Sequence, residues 1–72
     1  MVHRIITTAQ HYLDMLESVK LINEIVASGE TDEESVSTLL HNKNHLITKR
    51  AETIWTNEDM TAIDTAIERA KP

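Results

Sequence analysis

His41 and His45 stand four residues apart in the stretch LLHNKNHLI. On an α-helix that spacing puts both imidazoles on one face, where they can share a metal ion. A protein zinc site takes three or four ligands, so this pair needs partners from elsewhere. The next acid on the same face is Glu52, about two turns beyond His45. Asp14 or His11 would have to approach from a neighbouring helix. Asn42 occupies the position where a metalloprotease helix carries its glutamate, and an amide cannot take a proton from metal-bound water. The stretch HNKNH therefore reads first as a polar helix face. A metal held by His41 and His45, most simply between two chains, is the alternative.

No other residue pattern supplies a reaction. The chain has no cysteine, hence no thiol nucleophile and no disulfide. A single glycine excludes a glycine-rich phosphate loop, and no GxSxG elbow is present. The serines and threonines are accounted for by helix caps and exposed faces. No enzyme activity and no cofactor are expected.

The elements that position these side chains are helical. Gly29 is the only glycine and Pro72 the only proline, so the interior has few breakers. A first helix is predicted over 8–28. Its apolar line is Ile5, Ala9, Tyr12, Leu16, Val19, Ile22 and Val26, with Met15 and Ile25 widening it. Leu13 and Leu21 lie to one side. Thr7 and Gln10 fit a capping box, and residues 1–7 are expected to form an extended arm.

The segment ASGETDEES is the main punctuation. Gly29 suits the left-handed residue that closes a helix, and Thr31 with Glu34 forms a second capping box. Asp32, Glu33 and Glu34 favour the positive end of the next helix dipole. A calcium loop would need alternating ligands over a longer span.

A second helix is predicted over 32–55, with a line of Val36, Leu39, Leu40, Lys43, Leu46, Ile47, Arg50 or Ala51, and Ile54. The short turn makes the two helices antiparallel neighbours, so facing residue numbers sum to about sixty. Glu17 should then lie near Lys43, and Asp14 near His45. Thr56 caps a third helix over 57–70, with Asp59 at its third position. Trp55 and Met60 form a hydrophobic staple across that cap. Met60, Ile63, Ile67 and Ala70 face inward, while Ala62 and Ala66 allow close approach.

The expected fold is all-α: an antiparallel hairpin of two long helices plus a shorter third, a three-helix bundle completed by oligomerisation. The long helices, at about 22 residues, reach roughly 33 Å, and the third, at about 14, roughly 21 Å. Part of the groove between the first two is left open. The 72 residues supply one small domain without disulfides, and such chains often lean on a second chain for stability. Ile6, Leu13, Leu21 and Ile25 are the apolar residues of the first helix and its arm that would need cover.

Twelve Asp and Glu against seven Lys and Arg give a net charge of -5. That balance repels phosphate, so neither nucleic acid nor an anionic membrane is an expected partner. No apolar run approaches the roughly 20 residues of a membrane span, and the N-terminus lacks a signal-peptide core. Lack of cysteine suits the cytoplasm.

The stretch NHLITKRAETIWTNEDMTAIDTAIERA, Asn44 to Ala70, resembles the C-terminal half of small uncharacterised helical proteins of tailed bacteriophages, marine ones especially. NHL and IWTNEDMTAID carry the likeness. It implies a phage accessory protein, placed in the host cytoplasm or the virion, and transfers no functional residues.

The functional expectation is thus a small acidic module for self-assembly or protein binding, a homodimer first, without catalysis. A helix-turn-helix nucleic-acid binder is the other alternative. Its recognition helix would carry Glu58, Asp59, Asp64 and Glu68 against Arg69 and Lys71.

Overall fold

The computed structural model describes the backbone of residues 5, 6 and 8–71 and the side chains of residues 8–71. Its elements in order are β1 (Ile5–Ile6), α1 (Ala9–Ser28), α2 (Glu33–Glu52), β2 (Thr53–Ile54) and α3 (Asn57–Arg69). α1 and α2 pack closely as an antiparallel pair, and α3 packs against both. The chain is an all-α three-helix bundle.

α1 starts one residue later than the Thr7–Gln10 capping box requires. Thr8 is extended and its hydroxyl oxygen accepts the His11 N–H at 3.3 Å. Gln10 instead donates its side-chain amide to Asp14 at 2.9 Å. Adjacent threonines offer the same cap chemistry, so residue type alone does not choose between them. Thr7 itself lies outside the described residues. The helix ends at Gly29, whose φ of 68° is left-handed and whose N–H donates to the Ile25 carbonyl at 3.2 Å. Any side chain here would be strained by that φ, although the space beside it is open.

α2 is capped by Asp32 rather than by the expected Thr31. The Asp32 carboxylate accepts the Ser35 N–H at 3.2 Å, and the Thr31–Glu34 box is not the one used. A carboxylate does both jobs at this end, accepting an orphan N–H and placing negative charge on the dipole. α2 also stops at Glu52, short of the predicted end at Trp55. Thr53 and Ile54 pair in parallel with Ile5 and Ile6, a ladder of two residues per strand. Part of the expected arm is thus β1, and the remainder of residues 1–7 lies outside the described set.

Trp55 follows that ladder. It is buried, and its indole N–H donates to the Lys49 carbonyl at 3.0 Å. The last carbonyls of a helix have no partner within it, so the indole satisfies one of α2's. Thr56 caps α3 by accepting the Asp59 N–H at 3.1 Å. Met60 packs against the same core that buries Trp55.

The core comprises Met15, Ile22, Leu39, Leu46, Trp55, Ile63, Ala66 and Ala70, with Val19, Ile25, Met60 and Ile67 packed around it. On α1 the buried line is Met15, Ser18 and Ile22. The predicted line held Ile22, but Tyr12, Leu16 and Val26 are exposed by 41%, 41% and 42%. On α2 the buried line is Leu39, Asn42 and Leu46, while Leu40 and Ile47 of the predicted stripe face outward. Each long helix carries two lines at three- and four-residue steps, offset by one position, which is about 100° of rotation. The inner line is interrupted by a polar residue on each helix, so apolarity alone does not separate the two, and the predicted lines hold Ile22, Leu39 and Leu46 beside residues that are exposed.

Ser18 and Asn42 line the same cleft between α1 and α2. The small Ser18 lets the helices approach, and the Asn42 amide donates back to the Thr38 carbonyl at 2.8 Å. That bond lets the Asn42 amide be buried without losing its partner. The expected Glu17–Lys43 pair does not form. The ion pairs among the described residues are Arg50–Asp64 at 2.7 Å, joining α2 to α3, and Lys49–Glu52 at 3.9 Å.

Leu46 is fully buried, so Leu46→Ala should cost about 2–5 kcal/mol in urea unfolding. A variant as stable as the parent would contradict the inner-line packing.

Candidate functional site

His41 is exposed and His45 half-buried on the flank of α2 that borders α1. The antiparallel register brings Asp14, Glu17 and Ser18 of α1 to the same shallow cleft, about 240 Å³ in volume, with Asn42 between the two histidines. Asp14 and His45 therefore share a site. His11 is not among the residues that line it. Among the described residues, no three His, Cys, Asp or Glu side chains are arranged to hold a metal ion. What the cleft offers is two imidazoles and two carboxylates in solvent, where their mutual attraction is weak.

A second cavity lies at the end of the bundle and measures about 370 Å³. Ile25 and Val26 of α1 and Val36 and Leu39 of α2 form its walls, and Arg69 and Lys71 reach it from the end of α3. It exists because α3 is too short to cover the groove between α1 and α2. Arg69 also donates to the Asn23 side chain at 3.3 Å, fixing the end of α3 against α1. The walls are aliphatic and contain no nucleophile or general base.

The apolar residues expected to need cover are distributed unevenly. Leu13 is exposed by 58%, whereas Leu21 is half-buried and Ile25 packs on the core. The Ile6 side chain lies outside the described residues. Leu40, Ile47 and Ile54 were absent from that set and are exposed by 37%, 47% and 49%. Helical spacing places these three in the core stripe predicted for the second helix, and the structure leaves them exposed.

One carboxyl departs from its ordinary behaviour. Hydrogen bonds from the Ser35 side chain, then from the Ser35 N–H, hold Asp32 below its usual 3.8. No family model, curated protein or solved structure matches the chain.

Two measurements follow from these sites. A carboxyl with a lowered folded pKa stabilises the fold above its unfolded value and loses that contribution as pH falls through the folded one. Acid titration of helix content should therefore show an Asp32-dependent loss only below pH 3.8, absent in Asp32→Asn, which caps without titrating. Identical acid limbs for the two proteins would contradict the cap. Zinc should leave the thermal midpoint where chelator leaves it. A rise that His41→Ala or His45→Ala abolishes would establish a metal site.

Proposed function

We propose that this chain is a small acidic helical module that acts by protein–protein contact, as a homodimer first, and catalyses no reaction. The observation that carries this reading is apolar exposure. In a chain of 72 residues, Leu13, Ile54 and Ile47 are exposed by 58%, 49% and 47%, and Tyr12, Leu16, Val26 and Leu40 by 37–42%. A small bundle that buries only part of its aliphatic surface gains stability when another chain covers the rest. A symmetric pair is the simplest cover, since one surface then serves both chains.

The charge pattern argues against nucleic acid as the partner. On α3, Glu58, Asp64 and Glu68 are exposed, and Arg69 is the only cation within the helix. Among the described residues, no helix is long and apolar enough to cross a membrane. The likeness of Asn44–Ala70 to small phage proteins adds the proposal of an accessory role in a virus-infected cell.

Native mass spectrometry on tag-free protein purified without chelator tests the reading. The expected spectrum is a metal-free dimer. A monomer at every concentration up to the solubility limit would overturn self-association, and a stoichiometric metal would move attention to His41 and His45.

A further inference from the structure

α2 carries a second seam outside its buried one. Val36, Leu40, Lys43 and Ile47 follow one another at steps of four, three and four residues, and the same steps extend the line to Glu33 and Arg50. That alternation is the spacing of a helix face that packs along another helix. The inner seam of Leu39, Asn42 and Leu46 is consumed by the bundle, whereas Leu40 and Ile47 remain 37% and 47% exposed. Ile54, 49% exposed, continues the outer line past the end of the helix.

We infer that the outer seam is where a second copy of this chain docks, α2 lying antiparallel on α2 of its partner about a two-fold axis between Leu40 and Lys43. The inference rests on the self-association proposed above and adds its surface. Charge selects the arrangement. Along α2 the acids are confined to its two ends, with none between Glu34 and Glu52, and Lys43, Lys49 and Arg50 occupy its second half. A parallel pairing would set Lys43 on Lys43, Arg50 on Arg50 and Glu33 on Glu33, three like-charge contacts. The antiparallel pairing sets Glu33 against the partner's Arg50 and Val36 against the partner's Ile47. Leu40 then meets the partner's Lys43, whose methylene stem can cover it while the ammonium stays in water. Each contact occurs twice by symmetry, and the two helix dipoles oppose.

Arg50 keeps donors for this contact although it is paired within its own chain. Its Nε and Nη2 groups hold Asp64 at 2.7 and 3.4 Å, and a guanidinium has further N–H donors for a second carboxylate. At its first end the seam runs from Glu33 into the turn at Gly29. There Val26, Gly29 and Val36 line the aliphatic cavity left open by the short α3. Val36 belongs to both the seam and that cavity, so one continuous surface is covered.

The absence of native cysteine makes cross-linking a clean test. Val36→Cys chains mixed with Ile47→Cys chains and mildly oxidised should form a mixed disulfide dimer. Neither variant alone should cross-link, because identical positions lie roughly 16 Å apart along the axis. Leu40→Glu with Ile47→Glu should abolish the dimer with helix content unchanged, whereas Leu13→Glu on α1 should retain it. A parent chain that is monomeric by mass would overturn the self-association reading itself. A dimer that survives Leu40→Glu with Ile47→Glu, or that links Val36→Cys to itself and not to Ile47→Cys, would overturn this surface and leave that reading standing.

Discussion

The turn at Gly29 governs the rest of the molecule. Its left-handed φ of 68° lets the chain reverse within a few residues, so α1 and α2 can only run side by side in opposite directions. Once they do, the inner lines must interdigitate, and Met15, Ser18 and Ile22 meet the face of α2 that presents Leu39, Asn42 and Leu46. Caps on both sides hold the turn in register. The Ser28 hydroxyl donates to the Ile25 carbonyl at 2.8 Å and accepts the Glu30 N–H at 3.3 Å, while Ser35 donates to Glu30 at 2.8 Å. These bonds tie the last turn of α1 to the first turn of α2 across the loop.

At the opposite end the chain solves a different problem. α2 ends where Thr53 and Ile54 turn to pair with Ile5 and Ile6, and Thr53 is fully buried there. Trp55 then returns its indole N–H to a carbonyl of the helix just completed, which pins the crossing into α3. Arg50–Asp64 ties the middle of α3 to α2, and Arg69–Asn23 ties its last residue to α1. α3 therefore covers only part of the groove, and the aliphatic cavity lies at the Gly29 end.

The helices, their order and the turn were legible in the sequence because they depend on local chemistry: one glycine, capping residues and few breakers. The rotation of each long helix was legible only in part: Val19, Ile22, Leu39 and Leu46 of the predicted lines lie in or against the core, whereas Tyr12, Leu16, Leu40 and Ile47 are exposed. Two lines one residue apart both satisfy helical periodicity, and on α1 the line with more apolar residues, through Tyr12 and Leu16, is the exposed one. Ser18 and Asn42 break the inner lines as polar residues, since their burial depends on the packing of α1 against α2. The two-residue ladder was missed for a similar reason, as Thr53 and Ile54 continue a helical pattern until their partners are known. Of the candidate sites, the shared position of Asp14 and His45 followed from the antiparallel register alone. The outer seam of α2 shows in the sequence as helical spacing, which by itself does not separate an exposed line from a buried one.

The central claim is that α2 carries an inner seam spent on the fold and an outer seam that stays exposed in the single chain, where we propose a second copy docks. Methyl NMR with a soluble paramagnetic probe, recorded over a dilution series, addresses it most directly. The account predicts that Met15, Ile22, Leu46 and Ile63 are shielded at every concentration. Leu40 and Ile47 should broaden in dilute protein and become shielded as concentration rises. Ile22 or Leu46 broadening as strongly as Leu40, or Leu40 and Ile47 staying exposed throughout the series, would contradict it.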